Sequence, residues 1–79
     1  MIRLEYKNTM TTNEWEFIGN FATELDAYNN ISSFCKKHNF TIYYYRNWKT
    51  EDGWTMVDFG SHIQFYRMKE VPDESGGRT

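Results

Sequence analysis

Two segments at the start of the chain alternate between apolar and polar residues, which is the pattern of a half-buried β-strand. In the first, Ile2, Leu4 and Tyr6 alternate with charged residues. The second follows a polar connection and presents one mostly aromatic side: Trp15, Phe17, Gly19 and Phe21. Only Ile18 breaks this alternation. We therefore predict two strands, each with one apolar face.

The next segment carries the start, face and end signals of a helix. Thr23 can cap the free N–H groups of the first turn, and Glu24 and Asp26 place negative charge at the positive end of the helix dipole. An apolar stripe recurs at helical spacing and consists of Leu25, Tyr28, Ile31, Phe34 and Cys35. Asn39 suits the left-handed conformation that ends many helices. We predict one helix between these two signals.

The run over positions 40–48, Phe-Thr-Ile-Tyr-Tyr-Tyr-Arg-Asn-Trp, places apolar or aromatic side chains on both sides of one predicted strand. The residues that continue the apolar character of the helix stripe, and are assigned to the helix side, are Phe40, Ile42 and Tyr44. Tyr43 and Tyr45 are then left for the opposite face. Arg46 and Trp48 share the parity of the buried set but lie beyond its end, so we expect them at the rim of the sheet.

Turn signals divide the rest of the chain. Asp-Gly at positions 52 and 53 predicts a hairpin, with a return strand over 54–59. Gly60-Ser61 indicates either a turn or a β-bulge, and alternation over 63–68 predicts a last strand. From position 72 to 79 the chain holds no apolar residue, which predicts a disordered tail.

The element order is ββαβββ, which predicts a two-layer α+β fold over residues 1–71 as a single domain. Short strands joined by hairpins imply an antiparallel sheet, and the one helix must bury its stripe on one face of it. A helix of about 15 residues is about 22 Å long. It is too small to cover both faces, so we expect one face of the sheet to stay open.

Composition narrows the function classes. The chain has 79 residues, 19% of them aromatic, and one cysteine, so a few large rings must build the core without an internal disulfide. A net charge of −2 argues against generic nucleic-acid binding through the phosphates, although residues 36–49 carry four Lys or Arg and no acid. Because no apolar run has membrane-spanning length and no secretory signal begins the chain, we expect a cytoplasmic protein without membrane contact.

Motifs for catalysis or metal binding are weak. Asp-Phe-Gly at positions 58–60 matches the metal-binding triplet of protein kinases, but the other kinase motifs are absent and the chain is far too short. Cys35, His38 and His62 are fewer than the roughly four ligands of a zinc site, and a cysteine on an apolar helical stripe is typical of inert core. We expect no enzymatic activity, no metal and no cofactor.

Residue types that are enriched in protein interfaces are dense in the second half of the chain. The candidate binding residues are Tyr43, Tyr45, Arg46, Trp48, Trp54, Tyr66 and Arg67. We expect a small binding protein that inhibits or sequesters its partner, which is another protein, a second copy in a homodimer, or a small anionic ligand. Two alternatives are a single-stranded nucleic-acid-binding module with stacked tyrosines and Arg or Lys, and a small homo-oligomeric structural protein.

In general character the chain resembles small accessory proteins of bacteriophages and mobile elements, which are often cysteine-poor, acidic, aromatic-rich single domains. Many of those proteins bind and block a host component, so the resemblance implies an inhibitor. The Glu51-Asp52 loop and the acidic tail would suit contact with a basic host surface.

Overall fold

One helix packs on one face of a five-stranded antiparallel sheet, so the predicted α+β fold is confirmed. The computed structural model describes residues 1–42, 45–61 and 63–72. Its elements are β1 (Ile2–Asn8), β2 (Glu16–Phe21), α1 (Glu24–Lys37), β3 (Arg46–Lys49), β4 (Thr55–Asp58) and β5 (Gln64–Glu70). Apart from Pro72, the predicted disordered tail lies outside the described residues. At 14 residues, the helix of this described part is too short and too polar to cross a membrane.

The strand order in the sheet is β2-β1-β5-β4-β3. β1 and β5 pair along their whole lengths near the middle of the sheet, and the Met1 amino group extends the pairing by donating to the Val71 carbonyl at 3.0 Å. β2 and β3 form the two edges. The chain between them, which includes α1, therefore crosses the helix side of the sheet from one edge to the other.

The core lies between α1 and the helix side of the sheet. α1 contributes Ala27, Ile31 and Cys35, and the sheet contributes Leu4, Val57, Tyr66 and Met68, with Phe59 beside them. Leu25 is 68% exposed, so its predicted place in the buried stripe is wrong. At about 100° per residue it lies about 120° around the helix from Ile31, and Ala27 takes the buried place instead.

Both predicted helix ends are confirmed. The Thr23 hydroxyl accepts a hydrogen bond from the N–H of Asp26 at 3.1 Å, as an N-cap does. Asn39 has φ 61°, in the left-handed region, and the following N–H, of Phe40, donates to the Cys35 carbonyl at 2.8 Å. The helix therefore begins and ends where short-range chemistry satisfies its free backbone groups.

A β-bulge in β2 corrects the prediction of one aromatic face. Leu4 pairs with Gly19, but the next residue, Glu5, pairs with Phe17, so Ile18 is an extra residue on β2. Because side chains alternate with a period of two, one extra residue reverses the alternation between the part of β2 before Ile18 and the part after it. Gly19 and Phe21 point to the helix side, whereas Phe17 points to the opposite side.

The predicted strand over 40–48 is shorter than expected, and from Tyr45 onward its two faces are reversed. β3 begins only at Arg46. Tyr45 lies on the helix side, where its ring meets Tyr28 edge-on at 5.3 Å and its hydroxyl shares a 2.9 Å hydrogen bond with Ser32. Trp48 lies on the opposite side. Residues 40–42 are not in a strand, so alternation counted from position 40 does not predict which side of the sheet the residues of β3 face.

Of the residues assigned to the helix side of that run, Ile42 packs against the core as predicted. Phe40 is exposed and contacts the Phe34 ring at the end of α1 instead of entering the core. Tyr43 and Tyr44 lie outside the described residues.

Two turns join the last three strands. Gly53 has φ 89° and its N–H donates to the Thr50 carbonyl at 3.1 Å, which confirms the Asp-Gly hairpin between β3 and β4. Gly60 has φ 101°, and the Ser61 hydroxyl accepts from the N–H groups of Ile63 and Gln64 at 3.3 and 3.1 Å. Gly60-Ser61 is therefore part of a turn between β4 and β5, which settles the alternative left by the sequence.

Leu4 and Leu25 offer a matched test of this core. Leu4→Ala should lower the free energy of unfolding by about 2–5 kcal/mol, because Leu4 is fully buried and the substitution leaves a cavity. Leu25→Ala should change it by about 0.5 kcal/mol or less. Urea unfolding followed by tryptophan fluorescence measures both values. Similar losses for the two variants would place Leu25 in the core and contradict the packing described here.

Candidate functional site

The open face is the name used here for the side of the sheet opposite α1. Its strand residues, placed by pairing and alternation, are Arg3, Glu5 and Lys7 of β1, Phe17 and Asn20 of β2, Phe65, Arg67 and Lys69 of β5, Met56 and Asp58 of β4, and Arg46 and Trp48 of β3. Trp15 and Trp54, just outside β2 and β4, contact cations of this face. All three tryptophans of the chain therefore lie on the open face.

A buried ion pair occupies the middle of this face. Glu5 is only 6% exposed although it is a carboxylate. Arg67, its direct partner across β1 and β5, donates from Nε to Glu5 Oε1 at 2.7 Å, and its Nη2 lies 2.5 Å from the same oxygen. Arg3 Nε donates to the other oxygen at 2.8 Å. Both carboxylate oxygens thus have a charged partner.

These partners decide the protonation of Glu5. Burial by itself would raise the pKa of the carboxyl group, because low polarity disfavours its charge. The hydrogen bonds and positive charges of Arg3 and Arg67 outweigh burial, so the pKa of Glu5 is lowered from its ordinary value. Glu5 is therefore ionised at neutral pH and fixes both arginines.

Arg67 is also held between two tryptophan rings. Its guanidinium carbon lies 4.5 Å from the centroid of the Trp15 ring and 3.9 Å from that of Trp54. Lys7 lies over the Trp15 ring at 5.0 Å, and Lys69 over the Trp54 ring at 5.4 Å. Cation–π attraction of this kind stabilises both partners, so the open face carries rings and positive charges in fixed mutual positions.

A second buried carboxylate explains the kinase-like triplet. Asp58 accepts from Arg46 Nη2 at 3.1 Å and from the N–H of Gly60 at 2.9 Å, and Phe59 lies in the core. All three residues of the triplet thus have structural roles, in an ion pair, the core and a turn.

An apolar groove lies beside this network. It has a volume of about 260 Å³ and is lined by Lys7, Thr9, Trp15, Trp48, Met56 and Phe65. Small-molecule pockets usually measure about 300–1,000 Å³ and enclose their ligand. This groove is smaller and is bordered by Trp48, which is 44% exposed on an edge strand. Its size suits a single large side chain better than a whole ligand.

The structure brings together four of the seven predicted binding residues. Arg46, Trp48, Trp54 and Arg67 lie on the open face. Tyr45 lies on the helix side, contrary to its predicted exposure on the open face.

The other two predicted residues are not on this surface. Tyr66 is 1% exposed and belongs to the core, so its side chain is closed to a partner. The prediction that Tyr66 belongs to the binding surface is therefore wrong. On β5 its side chain points toward α1, and its ring centroid lies 5.7 Å from that of Phe59. Tyr43 lies outside the described residues.

Sequence reasoning missed the residues of β1 and β2 that complete the surface. Unbroken alternation predicts Trp15 on the same apolar face of its strand as Phe21. The break at Ile18 was the available signal, because one inserted residue moves everything before it to the other face. The sequence gives no comparable signal that Glu5 is buried. A charged residue between Leu4 and Tyr6 in an alternating strand is expected on the exposed face.

The remaining candidates for chemistry are accounted for in the described part of the chain. Cys35 is buried, and burial raises the pKa of its thiol, which makes it unreactive. His38 is exposed at the end of α1 and lies 4.6 Å from the Phe34 ring. Among the described residues no three His, Cys, Asp or Glu side chains come together as a metal site; His62 is outside them.

No protein-family model, curated protein or solved structure matches the chain.

Glu5→Gln should destabilise the protein by about 1–3 kcal/mol at pH 7, because two arginines lose their charged partner. The lowered pKa means that ionised Glu5 stabilises the fold above its unfolded pKa, and that this contribution is lost as pH falls through the folded pKa. The difference between wild type and variant should therefore shrink between pH 7 and about pH 3.

Urea unfolding at the two pH values measures this difference, and Glu51→Gln, in the exposed β3–β4 turn, is the control with no expected effect. A difference that stays constant across this range would show that the Glu5 charge does not stabilise the fold.

Proposed function

We propose that the chain is a non-enzymatic binding protein that captures a protein partner on the open face of its sheet. The observation that carries this proposal is Arg67 fixed between Trp15 and Trp54 beside an apolar groove, on a face over which no described element packs. Trp and Arg are the residue types that most often dominate binding energy at interfaces. Phe17 and Trp48, which are 48% and 44% exposed, leave apolar surface on this face that a partner can bury.

Fixed side chains also favour binding energetically. A free arginine loses rotamer entropy when a partner immobilises it, at a cost of about 0.5–1.5 kcal/mol. Arg67 is already oriented by Glu5 and by the two rings, so this cost falls on folding instead of binding. Such preorganisation supports a tight complex, and we propose that the protein acts by occupying its partner, as an inhibitor or sequestering protein of the bacteriophage type.

Single-stranded nucleic acid is the second candidate, and the geometry supports it less. A base-stacking platform needs ring faces that are free to receive bases. The rings of Trp15 and Trp54 already receive cations, and two of the arginines, Arg3 and Arg67, are paired with Glu5. These contacts reduce both the stacking surface and the charge available to phosphates.

A photo-crosslinking amino acid with a large aromatic side chain, p-benzoyl-phenylalanine, introduced at position 48 or 45 tests the proposed function, because at position 48 it keeps an aromatic ring in place of Trp48. The two side chains have similar exposure, 44% for Trp48 and 40% for Tyr45, but lie on opposite sides of the sheet. Irradiation in lysate of the source cells should link one specific protein to position 48 and not to position 45. Excess unlabelled protein should prevent this link, whereas excess Trp48→Ala should not.

Linking of the same proteins at both positions, or of none at position 48, would contradict an open-face binding function. Thermal unfolding of each variant is the control for folding. Tyr45 contacts α1, so its position also reports on whether the helix side binds instead.

A further inference from the structure

We infer that the occupant of the groove is an acidic segment of a protein, which inserts one large apolar side chain beside Trp48, Met56 and Phe65. This inference rests on the proposed function and adds the chemistry of the partner to it.

The charges of the open face point to an acidic partner. On the strands, this face carries the basic residues Arg3, Lys7, Arg46, Arg67 and Lys69 and the acidic residues Glu5 and Asp58. Both acids are buried and bonded to arginines. Asp52 of the β3–β4 turn also interacts with Lys69 and Arg67, so five basic and three acidic residues leave a basic excess on this face of a chain whose net charge is −2. Complementary charge steers partners to an interface.

The surroundings of the groove add the apolar component. Its lining is mostly aromatic or thioether, with Lys7 as the charged member. The Trp15 ring is in contact with two cations, the ammonium group of Lys7 and the guanidinium group of Arg67. A side chain inserted into the groove would therefore have positive charge next to its own backbone, where flanking carboxylates of the same segment can reach it.

The volume decides against a larger occupant. About 260 Å³ accommodates one anchor side chain, and anchors in pockets of this type are the usual centres of binding energy. Apolar contact with Trp48 and charge contact with Lys7 should therefore act together, so that loss of either weakens binding.

A labelled peptide with one central tryptophan between glutamates tests this occupant by fluorescence anisotropy. The comparison peptides replace the tryptophan by alanine or the glutamates by lysines, and a labelled oligo-dT serves as the nucleic-acid probe. The acidic tryptophan peptide should bind at low salt and weaken as salt rises. The alanine peptide should bind at least about tenfold more weakly, and the lysine peptide and oligo-dT more weakly still.

Two variants connect the binding to the groove. Trp48→Ala should weaken the acidic peptide by at least about tenfold, whereas Tyr45→Ala on the helix side should change it by less than about threefold. Lys7→Glu should weaken binding of the acidic peptide and strengthen binding of the lysine peptide. This exchange of preference cannot result from misfolding.

Absence of binding by the acidic peptide, equal binding of the lysine peptide, or tighter binding of oligo-dT would each overturn the inference. So would a dimer in sedimentation that Trp48→Ala converts to a monomer, because a second copy would then occupy the groove. If the peptide fails while crosslinking at position 48 still captures one protein, the binding function stands and only the acidic chemistry is wrong. If that crosslink fails as well, both fall.

Discussion

The ion pair between Glu5 and Arg67 is the interaction on which both the sheet and its open face depend. A carboxylate buried without a partner costs several kcal/mol, so the position of Glu5 is acceptable only with the two arginines in place. The pair joins opposite residues of the two central strands. A slip of one residue between these strands would turn Glu5 toward the core, so the pair selects the register. Through Arg67 it also determines where the rings of Trp15 and Trp54 lie.

Two different kinds of packing stabilise the two sides of this small sheet. The helix side is an ordinary core, in which Leu4, Ile31 and Met68 exclude water. The open face has no second layer in the described structure, and long cationic side chains lie over its aromatic rings instead. The charged ends of Arg3, Arg67, Lys7 and Lys69 lie 3.9–5.4 Å from the ring centroids and cover part of this apolar surface. This arrangement allows a sheet with one helix to tolerate tryptophans on its outer face.

The sequence predicted the features that depend on short-range chemistry. Thr23, Asn39 and Gly53 each have one favourable local role, and the structure places each in that role. The face that a strand residue occupies cannot be predicted in this way. It depends on alternation that continues without an inserted residue along the whole strand. Strand pairing produces the bulge at Ile18 and starts β3 only at Arg46, and neither is visible in the alternation pattern. Alternation therefore predicts the wrong side of the sheet for Trp15 and Tyr45. Burial of Glu5 has no local signature, since one of the two arginines that bind its carboxylate, Arg67, is 62 positions away.

The position of β5 has a consequence for how the protein is made. Before β5 is synthesised, β1 pairs only with β2, and β3 only with β4. A two-stranded hairpin is at best marginally stable in water, and α1, although it follows β2, meets its core partners Tyr66 and Met68 only once β5 is present. Because β5 joins the two halves, the sheet can form only when residues up to Glu70 have left the exit tunnel. Folding of this domain is therefore expected to occur in one cooperative step once β5 is available.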